Sequence, residues 1–295
     1  MSRFSRAVIV LLLLAGLTYY WLLVNAGLAD VAAKPLDIAA MRKAALAMPG
    51  QRPTSVSFAI VARRQVPGAA LAAGTGLRQV DVGVIAWRLE TPDGGIVIDP
   101  GLSPGDGAAI GFKNYDAAAK NKVNRWLEQS SQILFTHSHV DHVGLFLDHA
   151  NFDAIAKKAV VTPIMLSGIN ALWRENGGRI TSTRSLAPIE AVAPGVALIQ
   201  TPGHTPGSEM IFVKLADGRE LLFAGDTASL GVNADVPTPR SRLVAEWLTP
   251  EDRPAVIGWL KGLKALKKRN PKLLIVPSHD IGWTMGNARL LGPAK

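Results

Sequence analysis

Ile133-Leu134-Phe135-Thr136-His137-Ser138-His139-Val140-Asp141-His142 is the stretch on which the reading of this chain turns. An apolar run of strand character passes through one threonine into a dense set of imidazoles and a carboxylate. Alternate side chains of an extended segment point the same way, so His137 and His139 face one point. If the chain turns after them, Asp141 and His142 face another. Imidazole and carboxylate together hold divalent cations. Two such cations about 3.5–4 Å apart can share a hydroxide nucleophile and polarise the bond that it attacks.

Outward from this stretch the same arrangement recurs. Val196-Gln200 leads through Thr201-Pro202-Gly203 to His204, Leu221-Phe223 leads through Ala224-Gly225 to Asp226, and Leu273-Val276 leads through Pro277-Ser278 to His279. Each candidate ligand stands just beyond an apolar run, where a sheet holds it rigidly and a loop stays free to accept substrate. Five of the six histidines fall into this pattern. His149 lies outside every motif and reads as a surface or satisfied core residue. The chain has no cysteine, so disulfides, thiolate nucleophiles and Cys-based zinc sites are excluded, and any metal is held by nitrogen and oxygen.

These residues resemble the metallo-β-lactamase-fold hydrolases, a family that includes glyoxalase II and the quorum-quenching acyl-homoserine lactonases. The resemblance rests on Thr136-His137-Ser138-His139-Val140-Asp141-His142, Thr201-Pro202-Gly203-His204-Thr205-Pro206-Gly207-Ser208, Phe223-Ala224-Gly225-Asp226-Thr227, Ser278-His279-Asp280 and the early Ile96-Val97-Ile98-Asp99-Pro100-Gly101. It covers nearly everything after Ser55 and implies an α/β fold, the four-layer αββα sandwich. It also implies two divalent metal ions, zinc by default with iron or manganese as alternatives. His137, His139 and His204 would hold the first and Asp141, His142 and His279 the second, with Asp226 bridging. Asp141 or Asp226 would pass a proton to the leaving oxygen. Asp99 is expected as a structural group or one that orients a ligand; Asp280 either orients a ligand histidine or caps a turn.

Departures from each relative narrow the chemistry. β-Lactamases proper lack the bridging aspartate that Asp226 would supply, and flavodiiron relatives carry glutamate where this chain has His139. The nucleic-acid-processing branch often carries a large insertion, for which there is no room here. Hydrolysis of a lactone, ester or thioester by a metal-bridging hydroxide is therefore expected, with an acyl-homoserine-lactone-like small molecule favoured. A phosphodiester or β-lactam substrate on the same site, or a non-catalytic periplasmic metal-binding module, is the alternative. The lactonases usually carry a tyrosine three residues past the bridging aspartate, where this chain has Ser229. Tyr115 is the only tyrosine after the N-terminal segment. Ser167–Arg184 and Val232–Trp247 are candidate substrate-shaping loops, with Trp173 and Trp247 either facing substrate or completing the core.

The rest of the sequence sets the frame. Apolar residues make up 48% and charged residues 19% of 295, enough for a sizeable core. The net charge of +9 is concentrated in part at Lys261, Lys264, Lys267, Lys268, Arg269 and Lys272, on and just past an amphipathic helix. A solvated face is the reading there, and no nucleic-acid partner is expected. Residues 7–24 carry no charge, follow Arg3 and Arg6, and end in an aromatic patch, Tyr19-Tyr20-Trp21. This segment predicts a signal anchor in the inner membrane or a signal peptide cleaved after Ala29; either one exports the body to the periplasmic or extracytoplasmic side. Residues 1–29 are thus assigned to the signal or anchor, 30–54 to a linker with a helical patch at Ile38–Met48, and 55–295 to the catalytic domain. Ala159–Met165 predicts a strand, and the last long helix is expected to start at Thr249 and Pro250 and to end before Asn270-Pro271.

Overall fold

In the computed structural model, which describes residues 1–293, the strands are β1 (Ser55–Pro67), β2 (Gln79–Glu90), β3 (Ile96–Ile98), β4 (Asn114–Tyr115), β5 (Gln132–Leu134), β6 (Ile189–Ala193), β7 (Val196–Gln200), β8 (Glu209–Lys214), β9 (Glu220–Phe223) and β10 (Leu274–Val276). They form two five-stranded sheets, ordered β4-β1-β2-β3-β5 and β10-β9-β8-β7-β6. Pairing is antiparallel except for β3 with β5 and β9 with β10.

Strand alternation sorts the side chains into layers. Along β8, Ile211 and Val213 enter the core between the sheets, whereas Met210 and Phe212 face the outer helices. From the other sheet Ile85, Trp87 and Leu89 meet them, and Trp87 packs edge-on against Phe223 at 5.5 Å. Helices Ala117–Gln129, Val140–Leu147 and Pro163–Asn170 cover the outside of the first sheet through Val123, Phe146 and Ile169. Helix Arg253–Arg269 covers the second through Val256, Leu260 and Leu263. Helix, sheet, sheet, helix is the expected four-layer αββα order.

Three expectations need correction. The 30–54 stretch is not a free linker: helix Ile38–Ala45 lays Met41 and Ala45 against the second sheet, and Met41 is fully buried. Met41→Ala is accordingly expected to lower unfolding stability by about 2–5 kcal/mol, the cost of a core cavity, as measured by denaturant titration. Ala159–Met165 is no strand. Ala159 makes one bridge to Ile133, after which Thr162 caps a helix that Pro163 opens, its Oγ1 accepting from Met165 N at 3.2 Å. A short apolar run does not distinguish these outcomes by periodicity, whereas the Thr-Pro pair is a helix start. The last long helix begins at Arg253, three residues later than Pro250, because Asp252 rather than Thr249 is its cap and accepts from Ala255 N at 3.0 Å. Pro254 then sits in the first turn, where its missing N–H has no partner to lose.

The N-terminal segment forms a helix, Arg3–Tyr19, continued by a π-helical turn, Tyr20–Val24. It is long and apolar enough to cross a membrane, and none of its residues is buried. The two candidate tryptophans complete no core: Trp173 and Trp247 are 93% and 73% exposed.

Candidate metal centre

The C-terminal ends of β5, β7, β9 and β10 meet at one edge of the sandwich and carry His137, His204, Asp226 and His279 to it. After His139 the chain turns into helix Val140–Leu147, which presents Asp141 and His142 from its first turn. All seven residues singled out from the sequence converge, as one group of His137, His139, His204 and Asp226 and another of Asp141, His142 and His279.

The histidines are aimed by their backs. His137 Nδ1 lies 3.1 Å from Thr136 Oγ1, His142 Nδ1 lies 3.0 Å from Asp99 Oδ2, His204 Nδ1 lies 2.7 Å from Glu251 Oε2, and His279 Nδ1 lies 2.8 Å from the Gly83 carbonyl. Each of these four therefore turns Nε2 inward. His139 is the exception and offers Nδ1, which lies 3.1 Å from His137 Nε2 and 2.9 Å from His204 Nε2. Asp226 stands between the groups. Its Oδ2 is 3.4 Å from His204 Nε2 and 3.9 Å from His137 Nε2, while Oδ1 is 2.9 Å from His279 Nε2 and 3.6 Å from His142 Nε2. Asp141 Oδ2 completes the second group, 3.6 Å from His279 Nε2 and 3.9 Å from His142 Nε2.

Backbone conformation contributes to this placement. Gly225 has φ +54°, and a Cβ there would come within 2.7 Å of Thr136 Cβ, so only glycine lets β9 turn tightly enough to deliver Asp226 beside His137. Asp99 is left-handed at φ 46° without being glycine. Its Oδ1 accepts from Thr136 N at 2.7 Å and its Oδ2 from Thr136 Oγ1 at 2.6 Å, so it fastens the ligand loop as well as facing His142. Asp280 is a cap: Oδ1 accepts from Trp283 N and Oδ2 from Gly231 N. His149 accepts from Asn151 N through Nδ1, away from the site.

The electrostatics divide the groups. Burial, with His142 beside it, holds the His137 imidazole well below its usual value, and burial with His204 nearby pushes His139 down to about 3. Burial and Arg240 likewise lower His204. These rings are neutral near pH 7 and keep lone pairs for a cation. In the second group burial also disfavours the charged rings, but Asp99, Asp141 and Asp226 outweigh it and raise His142 to about 9; Asp226 and Asp141 raise His279. Burial alone would raise the Asp226 carboxyl, yet His279, Arg240 and His142 together hold it well below the usual carboxylate range. Neither buried nitrogen of His142 makes a hydrogen bond of good geometry: Nδ1 faces Asp99 as an ion pair, and Nε2 faces Asp141 and Asp226. An orphaned imidazole nitrogen facing two carboxylates, beside three converging neutral ring nitrogens, is a donor set that fits divalent ions.

Sequence reasoning missed Glu251, which orients His204, and Arg240. The Arg240 guanidinium is buried, donates through Nη2 to Asp226 Oδ2 and to Ser229 Oγ at 2.9 Å, and its Nε finds no partner. Neither residue carries a local signal, since each is a lone side chain in a loop after a proline. Tyr115 offers no phenol to the site. Its hydroxyl donates to the Leu102 carbonyl, and burial pushes it up to about 12.

A cavity of about 440 Å³ lies over the centre, bounded on the polar side by His139, Asp141, Asp226, Arg240 and His279. Its apolar side comes from residues such as Val66, Leu71, Phe112, Leu172, Val244 and Leu248. The expected substrate loops thus contribute Leu172, Val244 and Leu248, while Trp173 and Trp247 are not part of its lining.

Outside the ligand set, burial raises the Glu209 carboxyl to about 8, from an ordinary 4.5. The folded chain then keeps a proton that the unfolded chain has lost, so this group lowers stability as pH rises from 4.5 towards 8, with the full cost above 8. Glu209→Gln is expected to raise Tm above pH 8 and to leave it unchanged below pH 4.5, as checked by melting curves across that range.

The family model of the metallo-β-lactamase superfamily matches residues 75–279. No curated protein sequence matches the chain. Solved structures share the fold. An N-acyl homoserine lactone hydrolase with the product N-hexanoyl-L-homoserine at its catalytic metal center gives a TM-score of 0.61 at 21% identity, over 80% of this chain and 97% of its own. A B. thuringiensis AiiA variant with N-decanoyl-L-homoserine in its active site gives 0.60 at 21% identity, over 80% and 97%. AidC, a dizinc quorum-quenching lactonase, gives 0.54 at 13% identity, over 76% and 86%.

Proposed function

The chain belongs to the metallo-β-lactamase superfamily, and from that membership we propose that it is a dinuclear metal hydrolase that opens lactones, esters or thioesters, an acyl-homoserine-lactone-like substrate being favoured. The observation that carries this reading is the Asp226 carboxylate, which turns one oxygen to each group of histidines. His137, His139 and His204 would hold one ion, Asp141, His142 and His279 the other, and Asp226 both. Zinc is the default, with iron or manganese equally suited to these donors. Divalent ions in such a site supply a nucleophile from water near neutral pH and polarise the carbonyl under attack.

The chain's own residues do the rest. Asp99, Glu251 and the Gly83 carbonyl fix the rings so that little reorganisation accompanies the reaction. Asp141, held ionised by His142 and His279 against the opposing effect of burial, borders the cavity; with Oδ2 turned to the second group, its other oxygen would take a proton and return it to the leaving oxygen. Ser229 supplies no phenol, but it accepts from Arg240, so a fixed cation stands near that position. Its guanidinium borders the cavity and would favour the oxygen on which negative charge develops.

A phosphodiester is the second reading, favoured by Arg64 and Arg240 lining one cavity. Export is the reading of the N-terminal segment: Arg3 and Arg6 would stay inside, and residues 7–24 would anchor the body on the extracytoplasmic face, the alternative being a signal cleaved after Ala29. The full chain, loaded in turn with zinc, manganese and iron, is to be assayed on lactone, thioester, phosphodiester and β-lactam substrates. Hydrolysis is expected first on acyl lactones. Turnover confined to phosphodiesters would select the second reading, and silence across the panel would leave a metal-binding module.

A further inference from the structure

We propose that the cavity over the metal centre opens against the membrane surface and takes the acyl chain of an amphiphilic substrate directly from the bilayer, an inference that rests on the hydrolase reading above. Two wall segments of the cavity are helix Gly68–Leu71, which contributes Ala70 and Leu71, and the π-helical turn Leu243–Leu248, which contributes Val244 and Leu248. Both lie where the N-terminal helix ends. Gly74 N donates to the Leu23 carbonyl at 2.9 Å, and the Arg242 guanidinium sits 4.1 Å from the Trp21 ring centroid.

Beyond the helix the chain is tied down. Arg253 donates to the carbonyls of Asn25 and Ala26, and Lys261 to those of Leu28 and Val31. The seven residues past the span, 25–31, are therefore not a loose tether: the place where the chain leaves the apolar helix is fixed next to the cavity walls. Tyr19, Tyr20 and Trp21 mark that place as the water interface, since aromatic rings settle there. On the π-helical turn Trp247 and Leu248 are 73% and 68% exposed, and Leu248 also lines the cavity. Large apolar side chains exposed beside an interfacial aromatic patch suit immersion among lipid headgroups, while Arg242, paired with Glu246, holds the patch through Trp21.

The cavity has the matching polarity. His139, Asp141, Asp226 and His279 line it at the candidate metal centre, and Leu71, Val244 and Leu248 line it from the two segments that touch the end of the N-terminal helix. An amphiphile that enters tail-outward places its polar carbonyl at the metal centre while its chain remains continuous with the bilayer.

The test uses the full chain, zinc-loaded, in nanodiscs of phosphatidylcholine and phosphatidylglycerol. The sequence contains no cysteine, so Trp247→Cys and Ala216→Cys each give one site for an environment-sensitive fluorophore. Ala216 is exposed in the turn after β8, at the end of the strands away from the centre. Doxyl-labelled lipids are expected to quench the fluorophore at 247 and not the one at 216. In the same discs kcat/KM for a dodecanoyl homoserine lactone should exceed that for the butanoyl compound by about 100-fold, and Leu248→Asp should reduce that preference about ten-fold. Equal quenching at both sites alongside lactone hydrolysis would overturn the membrane-facing cavity and leave the hydrolase reading standing. Quenching at 247 without hydrolysis of any acyl substrate would overturn the hydrolase reading and keep the placement. Chain-length indifference with quenching intact would overturn entry of the acyl chain.

Discussion

Asp226→Ala is expected to lower kcat/KM on the chain's best acyl substrate by about 10³-fold or more, beyond the 10–100-fold that loss of an outer orienting group costs. The argument is geometric. Asp226 is the one carboxylate whose two oxygens approach the two groups of histidines separately, so its removal leaves each group one anionic donor poorer. Bound metal per chain, measured by elemental analysis, should fall together with turnover. Asp226→Asn keeps the shape and loses the charge, and should fall nearly as far. Removal also strands Arg240, a buried guanidinium that donates to this carboxylate, so melting curves must accompany the assay to separate lost chemistry from lost fold. Full activity with unchanged metal content would reject the bridging role.

Arg240→Met should act most strongly where Asp226 acts least, in the metal-free protein. Without ions Asp226 depends on His279, Arg240 and His142 to remain a buried carboxylate. Deleting one partner of a buried pair costs about 3–5 kcal/mol, because the other is left desolvated and unpaired. For a domain of this size that is a fall in Tm on the order of 10 °C. Ions bound at the centre would neutralise Asp226 themselves, so zinc should restore most of the lost Tm in Arg240→Met while adding less to the parent. Chelator-treated and zinc-loaded samples of both proteins, melted side by side, check this. Equal losses with and without metal would make Arg240 a packing residue only.

The candidate centre was legible because four of its members follow their strands within a few residues, and the other three follow His137 in one motif. His137, His204, Asp226 and His279 are set by local chain direction, and alternation along the extended His137–His139 segment already aims both imidazoles at one point. The bounds of the domain were less legible. Met41 and Ala45 look like any short amphipathic patch until the second sheet lies beneath them, and the Thr162-Pro163 start hides within an apolar run.

The sequence by itself indicated the four layers, through the family that its motifs resemble, and the candidate donor set, through motifs whose spacing is covalent. Tertiary structure alone decided what surrounds that set. Glu251 meets His204 from 47 residues away, Arg240 reaches Asp226 from a loop, and the apolar N-terminal helix ends beside the cavity. Such contacts depend on how separately folded segments close on one another, and loop closure leaves no periodicity for a sequence to carry.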